Sequence, residues 1–183
     1  AAAGFSELLT YMPHTHPLYP PLARQHLRHL RGLLRVQETE AGGGGIDAGA
    51  WHQLLDDRQS YCELTCTALV GYALCHALHP QGEKGGKGQK GPALADYVNS
   101  PAERLEMRTA VRAAFRAVAA RVSLGLEGGR AGMVADACTD TGTLKTREEY
   151  FSRKAESGHD DRAGSVCLLF AVEFRRLLEE EEE

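Results

Sequence analysis

The stretch SYCELTCTALVGYALCHAL, residues 60–78, decides the reading of the whole chain. From Leu64 to Leu78 it contains no Asp, Glu, Lys or Arg. A surface helix keeps one polar flank, so a helix apolar on every side must be covered by other helices. Its start, S-Y-C-E, is a capping-box pattern: the Ser60 hydroxyl and the Glu63 carboxylate can satisfy free backbone donors, which places the helix start at Ser60. Directly before it lies GAWHQLLDD, residues 49–57, with the only tryptophan of the chain.

Three more helices are expected around this one. From Pro20 to about Gln37, Leu22, Leu27, Leu30, Leu33 and Leu34 share one side and Arg24, Arg28, Arg31 and Arg35 the other, which predicts a helix with one wet face. From Ser100, S-P-A-E supplies a cap, a proline at the first helical position and Glu103 to complete a box. Met107, Val111, Phe115, Val118 and Val122 then form a stripe opposite Arg104, Arg108, Arg112 and Arg116. The last helix follows Asp160 and Asp161, whose charges suit a helix amino end. Its stretch Ala163–Val172 is again free of charge, so it too is expected to be enclosed. Amphipathic, enclosed, amphipathic, enclosed is the order that two concentric layers of helices require, whereas a simple four-helix bundle needs four similar amphipathic helices.

The chain has 183 residues, 43% hydrophobic and 25% charged, consistent with a single domain over 1–183. Its formal charge of −4 makes the whole chain a poor electrostatic match for nucleic acid or an anionic membrane. No apolar run reaches the roughly 20 residues of a membrane span. The start, AAAGFSELL, has no initiator methionine and no basic leader, so the amino end is expected to be a cut. Five cysteines at irregular spacing read as reduced, buried thiols and favour a cytoplasmic setting. Cys62 and Cys66 lack the paired-knuckle spacing of structural zinc sites, so no metal is expected. Residues 80–92, PQGEKGGKGQKGP, read as a flexible Gly/Lys-rich insertion, and GGGG at 42–45 reads similarly. Gly132–Cys138 and Tyr150–Ser152 are candidate short strands.

Three segments carry a family likeness. They are G-x-W-H-Q-L-L-D-D at 49–57 running into S-Y-C-E-L-T-C-T-A-L at 60–69; G-M-V-A-D-A-C at 132–138; and E-Y-F-S-R-K at 149–154 followed by D-D-R-A-G-S-V-C-L-L-F-A-V-E-F at 160–174. In this order they resemble the carboxyl-terminal part of glycosyl hydrolase families 88 and 105, the unsaturated glucuronyl and rhamnogalacturonyl hydrolases. The resemblance implies an all-α, partial six-hairpin (α/α) barrel with short strands in its loops. It also implies hydration of the double bond in a 4,5-unsaturated uronic acid at the end of an oligosaccharide, with an aspartate as acid and base and no metal or organic cofactor. The family's catalytic aspartates and its Trp-Ala-Arg-Gly segment lie upstream of the matching region. No Trp-Ala-Arg-Gly occurs here, so the expectation is a fragment with no catalytic residue of its own, whose partner is the missing amino-terminal half of the barrel.

Trp51, His52 and Gln53 are the candidate substrate-binding residues. Trp51 can stack on a sugar, although a lone tryptophan beside a buried helix is more often an anchor packed on that helix. The family's tyrosine after the tryptophan is His52 here, and Gln53 adds a polar group at the same mouth. Glu63 reads as a helix cap before it reads as a ligand. The adjacent Asp160 and Asp161 read as capping residues rather than as an acid and base pair for glycoside hydrolysis. The alternative to the enzyme fragment is a noncatalytic helical interaction module that exposes apolar inner helices to a partner.

Overall fold

The computed structural model describes residues 1–39, 45–79, 92–123, 133–138, 145–152 and 161–182. Among these residues six helices and one small antiparallel ladder follow in order: α1 (Ala2–Tyr11), α2 (Tyr19–Leu34), α3 (Leu64–Leu78), α4 (Pro101–Ala119), β1 (Val122–Ser123), β2 (Met133–Val134), α5 (Arg147–Ser152) and α6 (Asp161–Glu182). Single 3-10 turns occur at Gly45–Asp47 and Leu94–Tyr97. The expected insertion at 80–92 falls, except for its last residue, outside the described residues, as do 42–44 of the glycine run and Asp160.

α3 is the centre, packed most extensively on α6 and α4 and also on α1 and α2. Side-chain pairs along it rise together with those of its two inner neighbours. Tyr72 meets Glu7 and His76 meets Thr10 of α1, while Gly71 abuts Phe170 and His79 meets Glu180 of α6. The inner helices α1, α3 and α6 therefore run in the same direction, with α2 and α4 laid against them as an outer layer, which is the partial (α/α) barrel. At Gly71 the α3 and α6 axes come so close that an added methyl group would overlap the Phe170 ring. Phe170 and Phe174 then close on Phe115 of α4, the last pair stacked at 4.2 Å between centroids.

The outer helices follow the sequence pattern closely. α2 starts with prolines in its first turn and buries Ala23, His26, Leu27, Leu30 and Leu33. Ser100 caps α4 by accepting from the Glu103 N–H at 3.2 Å. The return half of the box is displaced by one residue: the Glu103 carboxylate accepts from Asn99 N at 2.8 Å and from Arg31 Nε at 2.6 Å, which ties α4 to α2.

Four expectations need correction. α3 starts at Leu64, not Ser60, because the Ser60 hydroxyl is spent on the preceding turn, 2.7 Å from Asp57 O, and Glu63 itself becomes the N-cap. Tyr150–Ser152 belong to helix α5 rather than to a strand. The strand within Gly132–Cys138 is only two residues long, Met133–Val134, paired with Val122–Ser123. α6 is enclosed on one side only: Leu168 is 66% exposed, Leu169 53% and Val172 49%. Its buried side faces α3 and α4, its main packing partners among the described residues. α1 is an inner helix that the sequence pattern did not announce; it leaves Leu8 and Tyr11 exposed on its own outer flank.

None of the five cysteines forms a disulfide. Burial pushes the Cys62 and Cys66 thiols up to about 12 and Cys167 to about 11, so these thiols stay protonated and unreactive at neutral pH. No described helix is long and apolar enough to cross a membrane.

Candidate functional site

The amino end of α3 is wrapped by two segments, 50–63 and 133–138. The first doubles back on itself: His52 and Cys62 form an antiparallel bridge, Gln53 N donates to Tyr61 O at 2.9 Å, and Glu63 N donates to Trp51 O at 2.9 Å. The turn between them is pinned by Ser60, whose hydroxyl oxygen accepts from Leu54 N at 3.1 Å. Gly49, at φ +94° and pressed on the Ala113 backbone, begins this segment where no other residue would fit.

Trp51 is fully buried. Its backbone N–H donates to Thr67 Oγ1 on α3 at 3.1 Å and its indole N–H to Leu33 O on α2 at 2.7 Å. One residue thus locks the rim segment to an inner helix through its backbone and to an outer helix through its indole, and its ring presents no surface to a sugar. His52 is also buried, with Nδ1 at 2.5 Å from Ser60 O and Nε2 at 3.0 Å from Glu38 Oε2. Nδ1 faces a carbonyl and must donate to it, which orients the ring. Cys62 Sγ lies 3.8 Å from Nε2, and burial raises the thiol pKa, which favours the protonated form over a thiolate nucleophile. Gln53 is the least buried of the three expected site residues, and its Nε2 reaches Cys138 Sγ at 3.6 Å.

Glu63 is 3% exposed and accepts from the N–H groups of Thr65, Cys66 and Cys138. Leu64 N donates to Asp136 O at 3.0 Å. The backbone donors at this helix end are consequently occupied by protein acceptors, so the site is no ready anion cradle. Asp136, at φ +60°, makes the turn that delivers its carbonyl there, a conformation that aspartate tolerates better than most residues. Its carboxylate pairs with the buried Arg121 at 3.0 Å, and Arg121 also holds Asp47 and donates to Ile46 O and Ala117 O.

The pattern reading missed Glu38, Asp47 and Arg121, the residues that brace the rim. A signal existed for Arg121: it breaks the four-residue spacing of the α4 arginines by one position, which turns it inward. Of the carboxylates around the rim, Asp47, Glu63 and Asp136 each accept from a donor or cation, and Glu38 is buried with Oε2 at 3.0 Å from His52 Nε2. No group of three His, Cys, Asp or Glu among the described residues is arranged to hold a metal ion.

The sequence model of Glycosyl Hydrolase Family 88 matches residues 1–85, which include the rim segment and α3. No curated protein matches the chain. Among solved structures, a possible member of glycoside hydrolase family 105 from Salmonella enterica serovar Paratyphi A is 20% identical, with a TM-score of 0.65 over 96% of this chain and 36% of that one. A family 105 glycoside hydrolase from C. acetobutylicum is 14% identical, with a TM-score of 0.69 over 96% of this chain and 43% of that one. A possible family 105 member from Klebsiella pneumoniae is 17% identical, with a TM-score of 0.62 over 95% and 38%. The chain thus spans well under half the length of these structures. It resembles glycosyl hydrolases of families 88 and 105, in sequence through its first 85 residues and in fold over nearly its whole length.

Proposed function

We propose that the chain is the carboxyl-terminal part of an unsaturated uronyl hydrolase, acting on oligosaccharides that end in a 4,5-unsaturated uronic acid. The observation that carries this reading is the family 88 match across the segment that forms the rim at the amino end of the inner layer. In this reading Trp51, His52 and Gln53 are one unit of the substrate site. Trp51 and His52 hold the backbone of the rim, and Gln53, the least buried of the three, meets the sugar through its amide. The acid that protonates the enol ether sits on an amino-terminal half barrel, since the carboxylates of this rim are taken up in its bracing. The apolar outer flanks of α1 and α6 support a ring that continues on both sides.

The test is to incubate the chain with an unsaturated disaccharide, alone and with the amino-terminal half of a family 88 protein, and to follow the ultraviolet absorbance of the double bond. Loss of absorbance is expected only with the complement, and Gln53→Ala is expected to raise KM more than it lowers kcat. No loss with the complement bound overturns the reading. The same two flanks favour a second reading, a noncatalytic module that binds a helical partner through them. Under that reading the complement binds and absorbance stays constant.

A further inference from the structure

Most of the described arginines hold a carboxylate, and on α4 the exceptions are Arg104, spent on Ala95 O, and Arg116. Among the described residues, Arg31 is spent on Glu103, Arg112 on Glu181, Arg121 on Asp47 and Asp136, and Arg147 on Asp57. Arg24, Arg28 and Arg35 hold no carboxylate, and all three project from the exposed face of α2 and its C-cap. They stand at i, i+4 and i+11, so one line about 16 Å long along the helix joins them. α2 contains no Asp or Glu anywhere in its sequence. Gly32 lies on the same face between Arg28 and Arg35 with open space where a side chain would stand, so a ligand chain can rest against the helix backbone there. In a protein of formal charge −4, three unspent guanidinium groups on one face of one helix are a local exception.

We infer that this face of α2 is an anchoring track for an acidic polysaccharide, separate from the rim at α3; the inference rests on the sugar-directed reading above for its class of ligand. A guanidinium takes a carboxylate through two parallel N–H donors, and a polyuronate offers one carboxylate per sugar along an extended chain. The face suits nucleic acid less well. It carries no exposed aromatic between its arginines for a base to stack on. Such a track holds an acidic sugar chain while its end is processed elsewhere, and salt weakens its grip.

Fluorescence anisotropy with labelled polygalacturonate at low salt tests the track without any need for hydrolysis, so its failure is separable from failure of the hydrolase reading. The triple variant Arg24→Gln, Arg28→Gln, Arg35→Gln is expected to bind about tenfold more weakly, with the matching lysine triple falling between it and the native chain. A charge-matched control, Arg112→Gln, Arg147→Gln, Arg175→Gln, removes arginines that already hold acids and is expected to bind within about twofold of the native chain. Equal weakening by both glutamine triples, absence of binding by the native chain, or tighter binding of a single-stranded oligonucleotide of equal charge overturns the inference.

Discussion

α3 and α6 both contain a long stretch without charge, yet they fare differently. α3 is buried at nearly every position, whereas α6 buries Phe170, Phe174 and Leu177 and leaves Leu168, Leu169 and Val172 in solvent. The difference lies in neighbours: α3 has α1, α2, α4 and α6 around it, whereas α6, among the described residues, packs mainly on α3 and α4. An uncharged sequence states what a helix tolerates, and enclosure additionally needs something on the other side. For α6, that something is absent from the described residues.

The sharpest way to break this comparison is to shorten side chains on the two flanks of α6. Phe170→Ala removes a fully buried ring from the α3–α6 contact and is expected to cost about 3–5 kcal/mol in denaturant unfolding. Leu168→Ala, on the open flank, is expected to stay within about 0.5 kcal/mol. A comparable loss for Leu168→Ala in the isolated chain would mean that the flank is covered. Repeating the pair with a bound amino-terminal half sharpens the test, because the Leu168 cost then rises if that half seats on α6.

A smaller effect separates two glycines on the same two helices. Gly71 of α3 faces the Phe170 ring with no room for a methyl group, and that ring is itself fully buried, so Gly71→Ala is expected to cost about 1–3 kcal/mol. Gly164 of α6 has open space at its Cβ position, and Gly164→Ala is expected to stabilise by about 0.5–1 kcal/mol through helix propensity alone. Thermal unfolding of both variants decides it; a stabilising Gly71→Ala would show that the α3 and α6 axes leave room for a methyl group beside Phe170.

These contrasts also mark what could be read from residues alone. The outer helices were legible because leucines and arginines segregate at helical spacing and Pro20 and Ser100 signal starts. α1 was not: AAAGFSELLTY has no capping side chain and little polar contrast, and it is helical because α2 and α3 pack against it. The start of α3 was misplaced because a local pattern, S-x-x-E, competed with a tertiary one in which Ser60 closes the rim turn and Glu63 caps alone. At the site, the segment 51–53 was legible from its motif. The direction of its side chains was not, since it depends on Leu33 O, Thr67 and Glu38, which are 14–18 residues away in sequence. Arg121, held by partners 15 and 74 residues distant, belongs to the same class.

The smallest effect concerns the polar seam between α3 and α6, set against the one between α1 and α2. His79 places Nδ1 at 2.9 Å from Glu180 and Nε2 at 3.3 Å from Glu173. Burial pulls its pKa down, but hydrogen bonds to the two carboxylates outweigh that and leave it above the ordinary histidine value. His26 has only a hydroxyl partner, Ser6 Oγ at 2.9 Å; burial, then the nearby His29 and His76, bring it down to about 4. The signs therefore oppose. The folded state binds the His79 proton more tightly than the unfolded chain does, so its stabilisation is full below the ordinary value of 6.5 and is lost as pH rises through the folded value. The folded state resists the His26 proton, so stability present above 6.5 falls as pH drops toward about 4. His79→Gln is expected to flatten the alkaline side of the stability profile and His26→Gln the acid side, each read from denaturation midpoints between about pH 4 and about pH 8. The His79 effect is the weaker because burial of its ring opposes the pull of the two glutamates. If His79→Gln leaves the alkaline fall unchanged, the polar seam adds nothing and α6 is held to α3 by apolar packing such as the Phe170 contact.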